Sequence, residues 1–177
     1  SKDIKYIISA IDDEKRQRYD YDNIQRIYND YFSTVINDDI SILNLRNKLV
    51  DKKILVLAPG KSIIDYEKDI KKLLTEDVIV VSVNFIPDNI SCDYHFYANA
   101  IHWDKISNNI EHKKCILSSN IKGNIENVIR VNYASLICED SKLSDNSTMM
   151  LLNLLEKCGV KKIMIAGFDG LKPNEDN

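Results

Sequence analysis

Six short, almost wholly apolar runs, each set apart from the next by enough chain for a helix or a long turn, limit what this sequence can build beyond Lys52. They are Ile54-Leu55-Val56-Leu57, Val78-Ile79-Val80-Val81, Tyr94-His95-Phe96-Tyr97, Cys115-Ile116-Leu117, Val128-Ile129-Arg130-Val131 and Lys162-Ile163-Met164-Ile165-Ala166. A strand that is apolar at successive positions has both faces to bury, which calls for a parallel sheet covered by helices on each side. The connections fit: a helix is expected to follow Ser62 and run to about Leu74, and another from Thr148 to Lys157, stopped by Gly159. The expected fold is therefore α/β, with a mostly parallel, Rossmann-like sheet carrying helices on both faces and an N-terminal helical segment ahead of it.

The first fifty residues have a different rhythm. Ile24, Ile27, Tyr28 and Tyr31 recur at helical spacing, and Asp12-Asp13-Glu14 supplies negative charge suited to a helix start. A second helix is expected from Asp39 to Val50, with Ile42, Leu45 and Leu49 on one face and Asp38 as its cap. The division is thus residues 1–50, a helical segment, and residues 51–177, a Rossmann-like domain.

Charge narrows the partners. The formal net charge is -3 and the pI about 5.6, and no concentrated basic face is visible, which argues against nucleic acid. No apolar run approaches the roughly 20 residues that span a bilayer, and Ser1-Lys2-Asp3-Ile4-Lys5 lacks a secretion pattern, so a cytoplasmic location is expected. Cys92, Cys115, Cys138 and Cys158 form no C-x-x-C pair and read as buried thiols, so no metal site is expected.

Ligands of open parallel sheets bind outside the carboxyl ends of the strands. The loops to examine are Pro59-Gly60-Lys61-Ser62, Asn84, Asn99, Ser118-Ser119-Asn120 and Gly167-Phe168-Asp169-Gly170. Gly60 lets backbone amides approach an anion, with Lys61 and Ser62 beside it; Ser62 either caps the following helix or donates to a phosphate oxygen. This is no P-loop, because Leu55 stands where that motif needs a glycine, and no G-x-G-x-x-G occurs. Ser147 and Thr148 open the late helix beside Asn146, as a cap or as an anion site. Asn84, Asn99 and Asn120 each follow a strand and suit turn chemistry or the reading of a base or sugar. Among the histidines, His95 reads as packed and hydrogen-bonded and His112 as solvated. His102, beside Trp103, is the candidate general acid or base. Asp169 is the candidate carboxylate, for a sugar hydroxyl, for proton transfer or for a turn.

Leu57-Ala58-Pro59-Gly60-Lys61-Ser62, Ser82-Val83-Asn84, Ser118-Ser119-Asn120, Asn146-Ser147-Thr148 and Ala166-Gly167-Phe168-Asp169-Gly170 together resemble two related groups. One is the bacterial sialyltransferases built on a single Rossmann-like domain; the other includes an archaeal hydroxymethylpterin pyrophosphokinase. The resemblance covers roughly residues 52–170. It implies a nucleotide or nucleotide-sugar ligand near Gly60, Ser62, Asn84, Ser118, Ser119, Asn120, Ser147 and Thr148, and group transfer with little dependence on metal. The chain departs from the sialyltransferases in having no His between Val131 and Ser147, and only Tyr133 is available for the tyrosines that steady their leaving phosphate.

Ile8-Ser9-Ala10-Ile11-Asp12-Asp13-Glu14-Lys15-Arg16, Tyr19-Asp20 and Ile27-Tyr28-Asn29-Asp30-Tyr31 look like the tail of an aldolase-type barrel. The similarity is to the 4-hydroxy-2-oxovalerate aldolase and hydroxymethylglutaryl-CoA lyase superfamily, as in two-domain proteins of surface-polysaccharide gene clusters. It implies an upstream barrel as a partner in the same polypeptide. The stretch Lys172-Pro173-Asn174-Glu175-Asp176-Asn177 is itself expected to be cut in mid-fold, because a closing helix would normally follow the last strand. The competing expectation is a non-catalytic module that docks to, or regulates, that barrel.

Overall fold

A computed structural model of the chain describes residues 21–138 and 146–169. Its elements are α1 (Tyr21–Ser33), α2 (Asp39–Leu49), β1 (Lys53–Leu57), α3 (Ser62–Asp65), α4 (Glu67–Lys72), β2 (Val78–Val83), β3 (Tyr94–Tyr97), α5 (Ala100–Ile106), β4 (Cys115–Ser118), β5 (Ile129–Val131), α6 (Ser147–Lys157) and β6 (Lys162–Ala166), with short 3-10 turns between. The six strands form one sheet in the order β5-β4-β3-β2-β1-β6, and every neighbouring pair is parallel. The α/β, Rossmann-like arrangement expected from the apolar runs is the one the chain adopts.

Strands β1 to β5 step across the sheet in one direction, and β6 then joins the other side of β1. Right-handed crossovers taken in opposite directions put their helices on opposite faces. Accordingly α6, which leads into β6, packs with α2 over Ile54, Val56, Val81, Val83, Phe96 and Ile116. The other face of β1 and β2 carries Leu55, Leu57, Val78 and Val80 under Ile63 of α3 and Ile70 of α4. Further along that face, Trp103 of α5 covers Tyr97, Cys115 and Leu117. β1 to β4 are largely apolar on both faces because helices cover both. β6 differs: Met164 and Ala166 join the α3–α4 side, while Ile163 and Ile165 on the other face are 36% and 43% exposed.

Several local expectations change. The helix after β1 is broken at Tyr66, whose backbone leaves helical angles (φ -107°, ψ 16°) before α4 restarts. Asp38 does not cap α2; its Oδ2 accepts from Asn132 N at 2.7 Å, tying α2 to the end of β5. His112 is not simply solvated, because its ring packs on Trp103 at 5.5 Å and Nε2 meets Ser107 O at 2.8 Å. Cys92, Cys115 and Cys158 are buried, and Cys138 is partly so. The Asp12-Asp13-Glu14 helix start and the loop end at Gly170 lie outside the described residues.

Candidate functional site at the β1–β6 rim

Strand order reverses between β1 and β6, and the two strands' carboxyl ends meet through their loops. The ladder continues past the strands: Ala58 N donates to Ala166 O at 2.9 Å, and Gly60 N to Gly167 O at 2.8 Å. Such contact between loop backbones tolerates no side chain at either position. A Cβ on Gly60 would stand 2.3 Å from Gly167 O, and one on Gly167, whose φ is +75°, would stand 2.0 Å from Ala58 O. Gly60 is thus the residue that lets β1 and β6 close together, and its amide is spent on that closure.

The Asp169 carboxylate reaches across this seam. Ser62 N donates to its Oδ2 at 2.8 Å, and Ser62 Oγ donates to its Oδ1. The amide that sequence reasoning offered to a phosphate is therefore already occupied by an anion of the chain's own. Beside it opens a concavity of about 390 Å³ lined by Ser62, Tyr66, Ile70, Ile165, Ala166, Gly167, Phe168 and Asp169. Tyr66 and Phe168, both exposed, contribute its aromatic rings, while Ser62 and Asp169 contribute polar side chains. The sequence reading passed over Tyr66, and gave Phe168 no role although it lies in a loop singled out for a ligand. The signal was present, since Tyr66 lies one helical turn beyond Ser62 and Phe168 adjoins Asp169.

The other expected site residues stand elsewhere on the same rim. Asn84 (φ 61°) turns its Oδ1 to Ala98 N at 3.3 Å, and Asn120 Nδ2 donates to Ala98 O at 2.9 Å. The two side-chain amides hold the backbone of Ala98, one at its N–H and the other at its C=O. Asn120 Oδ1 accepts from Ser118 Oγ, and both residues are buried. Buried Ser119 accepts from Tyr133 N at 2.9 Å and faces Thr34 Oγ1 at 3.3 Å. Asn99 caps α5 by accepting from Ile101 N and His102 N. Asn146 caps α6 the same way, from Thr148 N and Met149 N, with Thr148 buried. His102 follows β3, three strand spacings from β6 or roughly 14 Å away, so it does not share the concavity with Asp169. Lys61 stands in the β1 loop between Gly60 and Ser62.

Burial shifts titrations away from this rim. His95 is held below the usual histidine pKa, first by desolvation and then by Lys114. Desolvation pushes the Cys92, Cys115 and Cys158 thiols up to about 11, which keeps them protonated and unreactive. Arg130, half-buried, has its pKa lowered by desolvation, and its Nη2 donates to Ser119 O at 3.3 Å and Ile121 O at 2.7 Å. Among the described residues, no three His, Cys, Asp or Glu side chains are placed to hold a metal ion, and no helix is long and apolar enough to cross a membrane. Comparison with family models, curated proteins and solved structures finds no match to this chain.

Proposed function

We propose that the β1–β6 crevice binds a nucleotide or nucleotide-sugar, as part of a group-transfer enzyme that uses an activated phosphate donor. The observation that carries this reading is the position of the concavity, at the carboxyl end of a wholly parallel sheet and at the point where strand order reverses. Its lining suits the ligand class. Tyr66 and Phe168 offer flat apolar faces to a base, and Asp169 is an acceptor for ribose or sugar hydroxyls. The phosphates then belong at the outer rim by Lys61, because Asp169 holds the Ser62 amide and would repel them there. In this reading Asp169 takes the proton from an acceptor hydroxyl in that crevice.

Thermal unfolding with CMP, UDP, GDP and their sugars tests the proposal against inorganic phosphate alone. Ligand at a hundred times its Kd stabilises by about 2.7 kcal/mol, or a rise in Tm of roughly 5–10 °C for a chain of this size. Asp169→Ala should remove that rise. No shift with any of these compounds would sink the reading.

The exposed apolar face of β6 favours a second reading, a non-catalytic module that docks to an aldolase-type barrel. That module would show no nucleotide-dependent shift, yet would bind the barrel.

A further inference from the structure

Phe168 and Asp169 are consecutive residues, and both line the crevice. On the α3 side, Tyr66 lies one helical turn from Ser62, its N–H donating to Ser62 O at 2.9 Å. Each exposed ring therefore adjoins one member of the hydrogen-bonded Ser62–Asp169 pair. A nucleoside joins its base to its ribose by a single bond, so a base laid on either ring brings the ribose beside the Asp169 carboxylate. The 2′ hydroxyl is on the carbon next to the one that bears the base, and is the hydroxyl such a carboxylate meets first.

One residue holds both oxygens of that carboxylate. Ser62 N donates to Oδ2 at 2.8 Å and Ser62 Oγ donates to Oδ1, so neither oxygen turns away without losing a charge-assisted bond. A carboxylate accepts at about four positions; Ser62 engages two, and a ribose hydroxyl needs one. No Lys, Arg or His is among the described residues that line the crevice. The charged group that reads a ligand there is thus an acceptor, suited to a hydroxyl donor and repelling phosphate.

We propose that Asp169, oriented by Ser62, makes the crevice specific for ribonucleotides over 2′-deoxyribonucleotides, and so for sugar donors built on ribose. This deepens the ligand reading above and rests on it. A 2′-deoxyribose sets a C–H against the carboxylate where an O–H would donate, and a hydrogen bond to a charged group is lost. Ser62 acts through Asp169 and is a positioning residue.

Calorimetric titration of the 177-residue chain with the pairs CDP and dCDP, UDP and dUDP, and GDP and dGDP tests the selection. For whichever base binds, the ribose form should bind at least about tenfold more tightly. Asp169→Asn keeps the shape and removes the charge, and should bring the ratio of the two affinities close to one. Ser62→Ala should lower that ratio, and Ser62→Thr, which keeps the hydroxyl, should restore it. Equal affinity for the two members of a pair overturns the proposal and leaves the ligand reading standing. So does a ratio unchanged by Asp169→Asn, which would assign the selection to another residue. A ratio indifferent to Ser62→Ala removes Ser62 from the account. No binding by either member of any pair would sink the ligand reading, and the selection with it.

Discussion

At 7% exposure the His95 imidazole has lost nearly all its water, and its Nδ1 lies 2.7 Å from the buried Ser82 hydroxyl. Ser82 Oγ also donates to Phe85 O at 2.8 Å, so Nδ1 must carry the proton and donate to Ser82. This arrangement is complete with a neutral ring, and burial depresses the pKa. The unfolded chain, by contrast, takes up a proton near pH 6.5. Stability is therefore full above that value and falls as pH drops through it toward the lower folded-state pKa, at up to about 1.4 kcal/mol per pH unit. Urea unfolding of the native chain and of His95→Gln, each at several pH values between 5 and 8, should show a shallower acid loss in the variant. Equal slopes would mean that His95 is not the group concerned. The glycines of the rim belong to the same scale. Gly60 was legible as a residue with a special backbone task, but not the task itself, because its neighbour Gly167 lies far along the chain and across a sheet seam.

Among the elements, the strands were the most legible and their neighbours the least. Each apolar run became a strand because burial on both faces leaves few alternatives, and α6 ends at Gly159 in a left-handed conformation (φ +76°) as expected. Strand order depends on non-local pairing, and the break at Tyr66 on local geometry that apolar spacing does not encode. The strand-end asparagines show why the site was only half legible. Asn84 and Asn120 do gather at one rim, yet both spend their amides on the backbone of Ala98, at its N–H and its C=O. A residue type suited to ligands is equally suited to satisfying buried backbone. Asn84→Gly removes the side chain while keeping the positive φ, and Asn120→Ala strips the other clamp. Each should cost about 1–3 kcal/mol in denaturant unfolding. Because both anchor the backbone of the one residue Ala98, the double variant should depart from the sum by about 0.5 kcal/mol or more. Strict additivity would refute the shared clamp.

The whole molecule places its thiols as reporters of cooperativity. Cys158 lies under α6 on one face of the sheet, and Cys92 and Cys115 lie on the other, in two separate apolar clusters. All three are buried with thiols pushed up to about 11, whereas Cys138 is partly exposed. Reagents attack the thiolate, so protection has two origins, lack of access and lack of ionisation, and opening the structure removes both. If both faces rest on one sheet that opens as a unit, the three buried cysteines share a single opening free energy. Labelling of the native chain with a disulfide reagent should then show Cys138 reacting first and the other three following together, each accelerating with urea along the same slope. The alternative is physically distinct. The α3–α5 side is built from short helices and 3-10 turns and divided into two clusters, so it is the side with less to hold it closed. Were Cys92 or Cys115 to label well before Cys158, with a shallower urea dependence, that side would open by itself. The crevice would then sit on the more mobile face, because Ser62, Tyr66 and Ile70 all come from α3, α4 and the break between them.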